Sequence, residues 1–268
     1  MKIPNFRTRQ GSELYTMTAG RSIAPLVADA LGEQVIAAVH ETNTPRRLLD
    51  VACGPGTLAL QLARDLPATS IIGVDASQEM VARAQAAAAE ARLGEERLRF
   101  AAMDAHQLAF ESASFDAATC NLGFPFFAHP VAALGEIGRV LAPGAPFWAS
   151  VPDRQSWREL FQVTHEVIPR SDQLLHGFMA KLEQAQRLLP SLEQAGFVVT
   201  RQELLRFPFT FANGLEAVMF FNRLFSLFTT LPAPVERRLS QALDERYPQG
   251  VSTSYVALLV CAQRPTGT

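Results

Sequence analysis

The chain of 268 residues is long enough to bury a substantial hydrophobic core. Its 24 basic and 26 acidic residues leave a net charge of −2, which provides no basic surface for a phosphate backbone and disfavours a DNA or RNA partner. The three cysteines are far apart and odd in number, so they predict neither a disulfide framework nor a zinc site and indicate a reducing compartment.

The N-terminal part of the chain, residues 1–44, is predicted to be helical. Within it, Ser12–Leu31 has apolar positions spaced for two short helices that are broken near Gly20 and Pro25. The start of the chain lacks the apolar segment of a secretory signal, and no uncharged run is long enough to span a bilayer. We therefore expect a soluble, cytoplasmic protein that does not bind membranes.

The segment Leu48–Ala63 carries the strongest functional signal. A buried parallel strand is typically a continuous apolar run, and Arg47–Val51 fits one; apolar residues then recur at helical spacing from Thr57 onward. Gly54 and Gly56 lie between the two elements. A strand that turns through glycines into a helix leaves free backbone N–H groups at the carboxyl edge of a sheet, where nucleotide-like cofactors bind.

The glycine turn alone does not identify the cofactor. Residues 54–59 formally satisfy the dinucleotide fingerprint G-x-G-x-x-A, but Pro55 would stiffen a loop that has to wrap a pyrophosphate. Asp50 lies just ahead of the glycines, where a carboxylate would repel a pyrophosphate and would suit a ligand with an ammonium or sulfonium group. The sequence therefore favours a positively charged cofactor over a nicotinamide dinucleotide.

Three further segments continue the strand and helix alternation. Ile71–Ser77 predicts a second buried strand that ends in Asp75, nineteen residues after the second glycine and close to the spacing of roughly 20 at which an acid meets ribose hydroxyls. Arg99–Phe110 predicts a third strand and its loop, which contains Asp104. Phe115–Val151 predicts the fourth strand, its helix and the fifth strand. The pattern indicates an α/β, Rossmann-like, doubly wound fold with a mostly parallel sheet.

The glycine turn and its acid resemble motif I of the class I S-adenosylmethionine-dependent methyltransferases, and the next three segments follow in that family's order. The resemblance is strong over Leu48–Val151, looser elsewhere, and greatest to the small-molecule methyltransferases of ubiquinone and menaquinone biosynthesis. It implies a seven-stranded sheet and S-adenosyl-L-methionine as the cofactor. The cofactor-binding residues that it implies are Tyr15, Asp50, Ala52, Gly54, Gly56, Asp75, Ala76, Asp104, Ala105 and Asn121.

The resemblance also implies individual roles. Asp75 would bind the ribose hydroxyls, Asp104 would accept from the adenine amino group, the backbone at Asn121 would lie near the methionine part, and Tyr15 could close over the donor. Each of the first three has a structural alternative: Asp75 as a helix N-terminal acid, Asp104 as a turn residue, and Asn121 as a simple loop residue.

Two expectations concern the glycine motif itself. Ala52 replaces the first glycine of the strictest form of the motif, and we expect it to be tolerated because the position needs only a small side chain and a φ below zero. We expect a side chain at Gly56 to block the close approach of the ligand while leaving most of the fold intact.

The composition changes after Val151, although no linker or repeat divides the chain. We predict one domain over residues 1–268, with a cofactor-binding core at 45–151 and helical cap insertions at 152–180 and 212–248. The remaining parts of the sheet would come from 181–211 and 249–268. Because both insertions follow the carboxyl edge of the sheet, we expect a closed, mainly apolar substrate chamber beneath the cap.

The catalytic machinery is less visible, because methyl transfer depends mainly on holding the acceptor and the methyl group together in a dry pocket. Candidate general bases are His165 and His176 in the cap, with a solvated helix face as the alternative for both. His106, His129 and Tyr15 are weaker candidates. The phenylalanine-rich helix near residues 217–231 could be ordinary core or the interface of a homodimer.

The function expected from the sequence is methyl transfer from S-adenosylmethionine to a small, largely apolar or aromatic metabolite at oxygen, nitrogen or carbon. One alternative is an NAD(P)-dependent oxidoreductase that uses the same loop. Another is a methyltransferase-like fold that binds the cofactor without transferring methyl, or in which the bound donor shapes a pocket for a different transformation.

Overall fold

The computed structural model describes residues 23–42, 47–169, 171–225 and 231–266. Seven strands form one sheet in the order β3-β2-β1-β4-β5-β7-β6. The strands are β1 (Arg47–Val51), β2 (Ser70–Asp75), β3 (Leu98–Ala102), β4 (Ala117–Asn121), β5 (Pro146–Pro152), β6 (Val198–Phe211) and β7 (Val251–Gln263). The first five are parallel and β7 is antiparallel to both of its neighbours, which confirms the predicted mostly parallel, seven-stranded sheet.

Helices connect the strands and cover both faces of the sheet. They are α1 (Ala24–Thr42), α2 (Thr57–Asp65), α3 (Gln78–Glu90), α4 (Pro130–Val140), α5 (Arg158–Val167), α6 (Ser171–Ala185), α7 (Leu188–Gln194), α8 (Gly214–Phe225) and α9 (Ala233–Arg246). A short 3-10 helix, Phe124–Phe126, follows β4. Across the part of the chain described here, no helix is both long and apolar enough to cross a membrane.

Burial on both faces explains why β1 reads as a continuous apolar run. Leu48 belongs to a core cluster that contains residues of α1, α2 and α3, whereas Leu49 belongs to a second cluster that contains residues of α4 and α7. Successive side chains of a strand point to opposite faces, so helices above and below the sheet require apolar residues at every position. The acid at Asp50 is therefore an exception among the four buried residues that follow the exposed Arg47.

The antiparallel pair of β6 and β7 projects beyond the carboxyl edge of the parallel strands. β5 ends at Pro152, opposite Ala257, while the first part of β7 continues past that point and pairs with Phe207–Phe211. The chain that leaves β5 follows this projection, because the backbone N–H of Trp157 donates to the carbonyl of Ser254 at 2.8 Å. The projecting strand pair gives the helices that follow β5 and β6 a surface on which to pack.

The phenylalanine-rich helix α8 packs on this projection through an aromatic cluster around Trp157, whose side chain is fully buried. The Trp157 ring centroid lies 4.8 Å from that of Phe221 on α8 and 5.0 Å from that of Phe209 on β6. Val218 of α8 is also buried in the core of this chain. The alternative of ordinary core is thus confirmed for this part of the helix, and the homodimer stays a prediction.

Candidate functional site

The carboxyl edge of β1 and β4 contains a narrow cleft with an acidic group at its base. It lies between the β1–α2 loop and the end of β4, where the sequence places a cofactor. Its lining residues are Ala24, Asp50, Ala52, Cys53, Gly54, Pro55, Thr57, Leu58 and Asn121. Four of the predicted cofactor residues therefore share one cleft: Asp50, Ala52, Gly54 and Asn121.

Asp50 is the most perturbed carboxyl group of this cleft. It is 1% exposed, and its Oδ1 accepts a hydrogen bond of 2.8 Å from the hydroxyl of Thr119. Its Oδ2 is buried and has no hydrogen-bond partner among the described residues. Burial raises the pKa of Asp50 to about 7, against the smaller opposing effect of the Thr119 hydrogen bond and with a small addition from the charge of Asp75. A buried oxygen without a donor is costly unless a ligand supplies one.

The loop that follows Asp50 is built from residues in the left-handed region. Ala52, Gly54 and Gly56 have φ of 54°, 55° and 86°. The expectation that Ala52 needs a φ below zero is therefore wrong. The loop has to turn away from β1 at once, and the turn imposes a positive φ on a residue whose Cβ disfavours it by roughly 1–2 kcal/mol.

Replacing Ala52 with glycine should therefore stabilise the protein by up to about 1 kcal/mol, because relief of the left-handed strain exceeds the added entropy of the unfolded chain. Chemical denaturation with and without the substitution measures the change. Replacing Ala105 with glycine provides a control, since Ala105 is buried but has no positive φ, and that change should destabilise. A loss of stability in the Ala52→Gly variant would contradict the strain argument.

The two glycines of the loop have different roles. A Cβ at Gly56 would lie 2.8 Å from Cζ of Phe100 and 3.1 Å from Cβ of Ala84, so its missing side chain is required by packing against β3 and α3. A Cβ at Gly54 would meet no atom within 4 Å. The expectation that a side chain at Gly56 would leave most of the fold intact is therefore wrong, whereas its effect on ligand binding stays a prediction. Gly54 is the glycine whose open side lies at the cleft.

Asp75 ties the glycine loop to the end of β2. Its Oδ2 accepts from the backbone N–H of Gly54 and its Oδ1 from the backbone N–H of Ser77, both at 2.9 Å. Ser77 in turn caps α3 by accepting from the N–H of Met80 at 3.3 Å. The backbone N–H of Gly54 thus donates to Asp75 and is not one of the N–H groups left free for a ligand. Ala76, the next predicted cofactor residue, is exposed beside this network.

Asp104 is held in place by His106, one of the weaker candidates for a general base. His106 Nε2 accepts from the backbone N–H of His129 at 3.1 Å, so its Nδ1 carries the proton that is shared with Asp104 Oδ1 at 2.5 Å. The backbone N–H of His106 also donates to Asp104 at 3.1 Å. His106 therefore orients this carboxylate, and Ala105 is buried between them.

Asn121 connects the end of β4 to two other elements. Its Oδ1 accepts from the hydroxyl of Ser150 on β5 at 2.6 Å, and its Nδ2 donates to the carbonyl of Ala24 in α1 at 3.3 Å. Sequence reasoning missed Ser150, because a lone serine in an apolar strand carries no functional signal. These hydrogen bonds hold the Asn121 amide at the cleft. Asn121 therefore has a structural role, and its binding of a ligand stays a prediction.

The two histidines predicted as catalytic lie elsewhere on the surface. His165 and His176 are exposed, and His165 Nδ1 lies 2.6 Å from the hydroxyl of Ser171, across the turn between α5 and α6. They do not line the cleft, and their catalytic role stays a prediction. Tyr15 lies outside the described residues, and the closed chamber beneath the cap also stays a prediction.

The buried thiols of the site are poor nucleophiles. Burial raises the pKa of Cys53 well above its usual value and raises that of Cys120 to about 12, with nearby carboxylates adding to both effects. A thiol that stays protonated neither attacks nor binds a metal. Within the described ranges, no group of histidine, cysteine and acidic side chains could hold a metal ion.

Comparison with known proteins yields one family and several relatives. The family described as "Methyltransferase domain" matches residues 48–144. A demethylmenaquinone methyltransferase from Porphyromonas gingivalis is 31% identical over 193 residues, which cover 66% of this chain and 71% of that protein. One from Deinococcus radiodurans is 38% identical over 122 residues, or 46% of this chain and 49% of the relative, so the chain spans about half the length of that protein.

A solved structure resembles the chain over most of its length. The [4+2]-cyclase SpnF has a TM-score of 0.59 and is 27% identical, with 89% of this chain and 82% of that chain covered. The similarity to SpnF thus extends well beyond the matched domain, to elements on both sides of residues 48–144.

Proposed function

Because the chain belongs to the class I S-adenosylmethionine-dependent methyltransferases, we propose that it transfers a methyl group from this donor to a small, largely apolar or aromatic metabolite. The observation that carries the proposal is the buried, unpaired Oδ2 of Asp50 in the cleft beside the glycine loop. An ionised carboxylate in such surroundings requires a cationic partner, and the donor carries an ammonium group.

The residues of the cleft fit this donor better than they fit a dinucleotide. Asp50 would attract a cation and repel a pyrophosphate, and the N–H of Gly54 is already bonded to Asp75. Asp50 would hold the ammonium group of the donor, Asp75 its ribose and Asp104 its adenine. We keep the NAD(P)-dependent oxidoreductase only as an outcome of the test below.

The donor, when bound, supplies an electrophilic methyl group on a positively charged sulfur. The chain contributes by orienting the acceptor and by excluding water, since the charge on the sulfur disperses during transfer and an apolar site favours that change. Ala24, Ala52 and Leu58 supply apolar surface to the cleft beside its polar groups, which include Asp50 and Asn121. A general base is needed only where the accepting atom has to lose a proton.

A thermal-shift series tests the cofactor assignment. S-adenosylhomocysteine should raise the melting temperature increasingly with its concentration, whereas NAD and NADP should leave it unchanged. Transfer of a radioactive methyl group from S-adenosylmethionine to a panel of phenols and hydroquinones then tests the reaction. Stabilisation by NADP without an effect of S-adenosylhomocysteine would refute the proposal in favour of the oxidoreductase.

A second candidate function is a ring-forming reaction in which the bound donor only shapes the pocket. The similarity to the [4+2]-cyclase SpnF, at 27% identity over most of the chain, supports this alternative. Under this alternative, S-adenosylhomocysteine would stabilise the protein, but no labelled methyl group would reach any acceptor of the panel. The thermal-shift series and the transfer of labelled methyl therefore distinguish a methyltransferase from a ring-forming enzyme.

Replacing Asp75 with alanine should weaken binding of S-adenosylhomocysteine by about 1.5–3 kcal/mol, because the ribose hydroxyls lose their acceptor. The variant should also lose stability, since the N–H groups of Gly54 and Ser77 lose theirs. Ser77→Ala is the matched control: it removes the cap of α3, costs about 1 kcal/mol of stability, and should leave the affinity unchanged. Calorimetry on the folded variants gives both affinities, and equal values for wild type and Asp75→Ala would remove Asp75 from the site.

A further inference from the structure

Helix α6 carries an isolated cation across the carboxyl edge of the sheet. Phe178 packs on Phe161 at 5.6 Å between ring centroids and joins the core cluster of one face, whereas Ala185, seven residues later, lies in the cluster of the other face. The helix therefore passes over the ends of the strands. Lys181 lies between these two contacts and is one of only two lysines in the sequence, the other being Lys2.

The surroundings of Lys181 leave its charge largely uncompensated. Its Nζ donates to the carbonyl of Pro125 at 2.9 Å and lies 4.8 Å from the ring centroid of Phe126. No carboxylate among the described residues pairs with it. Desolvation by burial lowers the pKa of its ammonium group. An ammonium group has three donors, so two remain for another partner.

The carbonyl that Lys181 contacts belongs to a segment that begins at the cleft. Pro125 is four residues beyond Asn121, which limits the separation of their Cα atoms to about 14 Å. The intervening Gly123 packs tightly on the β1–α2 loop, since a Cβ at that position would lie 2.6 Å from Cβ of Ala52. The 3-10 helix that Lys181 contacts is therefore a direct continuation of the wall of the cleft.

Phe126 adds an apolar surface beside the cation. The residue is 39% exposed although it lies next to the ammonium group of Lys181. A flat ligand can stack on such a ring while a negatively charged oxygen on the same ligand accepts from the ammonium. A purely apolar ligand would displace water from the two remaining donors of Lys181 without supplying an acceptor in its place.

We propose that Lys181 and Phe126 form an acceptor subsite that binds an aromatic metabolite through a negatively charged oxygen, a carboxylate or an ionised phenol. This inference rests on the proposed function, because it names the substrate class for the same site. The alternative is that Lys181 only holds the carbonyl of Pro125 and thereby anchors the 3-10 helix.

A pair of matched probes separates the two roles. In the presence of saturating S-adenosylhomocysteine, 2-naphthoate should bind at least tenfold more tightly than naphthalene-2-carboxamide, which has nearly the same shape and no charge. In the Lys181→Met variant the two affinities should become equal through loss of naphthoate binding, while carboxamide affinity stays as in wild type. Lys181→Arg should keep the preference because it keeps the charge.

Controls distinguish this result from a general charge effect and from misfolding. Arg187→Gln removes a positive charge from an exposed position just beyond α6 and should leave the preference unchanged. Unaltered binding of S-adenosylhomocysteine to Lys181→Met shows that the donor cleft is intact. Equal affinity of both probes for the wild type, lack of binding by either, or a preference that persists in Lys181→Met would overturn the subsite. Failure of S-adenosylhomocysteine to bind the wild type would instead overturn the proposed function.

Discussion

Replacement of Gly54 with asparagine should reduce the affinity for S-adenosylhomocysteine at least about a hundredfold, which corresponds to roughly 2.7 kcal/mol. Gly54 has a φ of 55°, a conformation that asparagine tolerates better than most residues, and no atom lies within 4 Å of the added Cβ. The side chain would extend from the cleft wall into space that the donor needs. Calorimetry measures the affinity, and denaturation should show a stability loss no greater than about 1 kcal/mol.

Gly56→Asn is the matched control, because it adds the same side chain two residues later in the same loop. Its Cβ would clash with Phe100 and Ala84, so this variant should lose about 3 kcal/mol of stability or fail to fold. The two substitutions thus separate a ligand effect from a packing effect. If Gly54→Asn binds the donor as the wild type does, Gly54 does not face the ligand and the assignment of the cleft is wrong.

Binding of S-adenosylhomocysteine should release a proton below about pH 7 and should weaken about tenfold for each pH unit below that value. Burial raises the pKa of Asp50 to about 7, so the free protein carries a proton there in mildly acidic solution. The ammonium group of the ligand favours the ionised carboxylate, and binding must therefore expel the proton. Calorimetry in buffers of different ionisation enthalpy counts the protons released.

Two variants test whether Asp50 is the group responsible. Asp50→Asn should bind weakly at pH 8 and should show neither proton release nor a pH-dependent affinity between pH 5 and 8. Thr119→Val removes the hydrogen bond that lowers the pKa of Asp50, so the pH at which affinity declines should move upward. A pH profile that is identical in wild type and Asp50→Asn would contradict this account.

The same group makes the stability of the ligand-free protein depend on pH. The pKa of Asp50 in the folded state lies above its usual value of 3.8, so the unfolded chain gives up this proton at lower pH. The stabilising contribution is complete below about pH 4 and is lost as the pH rises through about 7. Urea denaturation between pH 4 and 8 should show this decline, and Asp50→Asn should remove it.

The sequence predicts the parts of this molecule whose signals are local. The apolar run of β1, the glycine turn and the helical spacing of α2 each lie within about twenty residues, and their bounds agree closely with the structure. The pairing of Asp104 with His106 is equally local, since the two residues are two positions apart. The sequence does not predict this pairing, because a histidine in such a loop equally fits a general base.

The features that sequence analysis misjudged depend on distant contacts or on backbone angles. The requirement for glycine at position 56 comes from Phe100, which is far along the chain and becomes its neighbour only when β3 joins the sheet. The positive φ of Ala52 leaves no mark on an alanine in the sequence. The apolar stripe of α8 predicts burial without specifying a partner, and the partner proves to be Trp157.

The position of β7 has a consequence for the order in which the protein folds. β7 lies between β5 and β6, so β6 has no neighbour in the sheet until the last strand of the chain has been inserted. Phe147 of β5 pairs with Ala262, more than a hundred residues later, and contacts of such long range form slowly because a large loop must close first. During synthesis on the ribosome, the five parallel strands can assemble first, with the edge of β5 left unpaired. A folding intermediate of this kind would expose a strand edge that a chaperone could protect until residues 251–263 arrive.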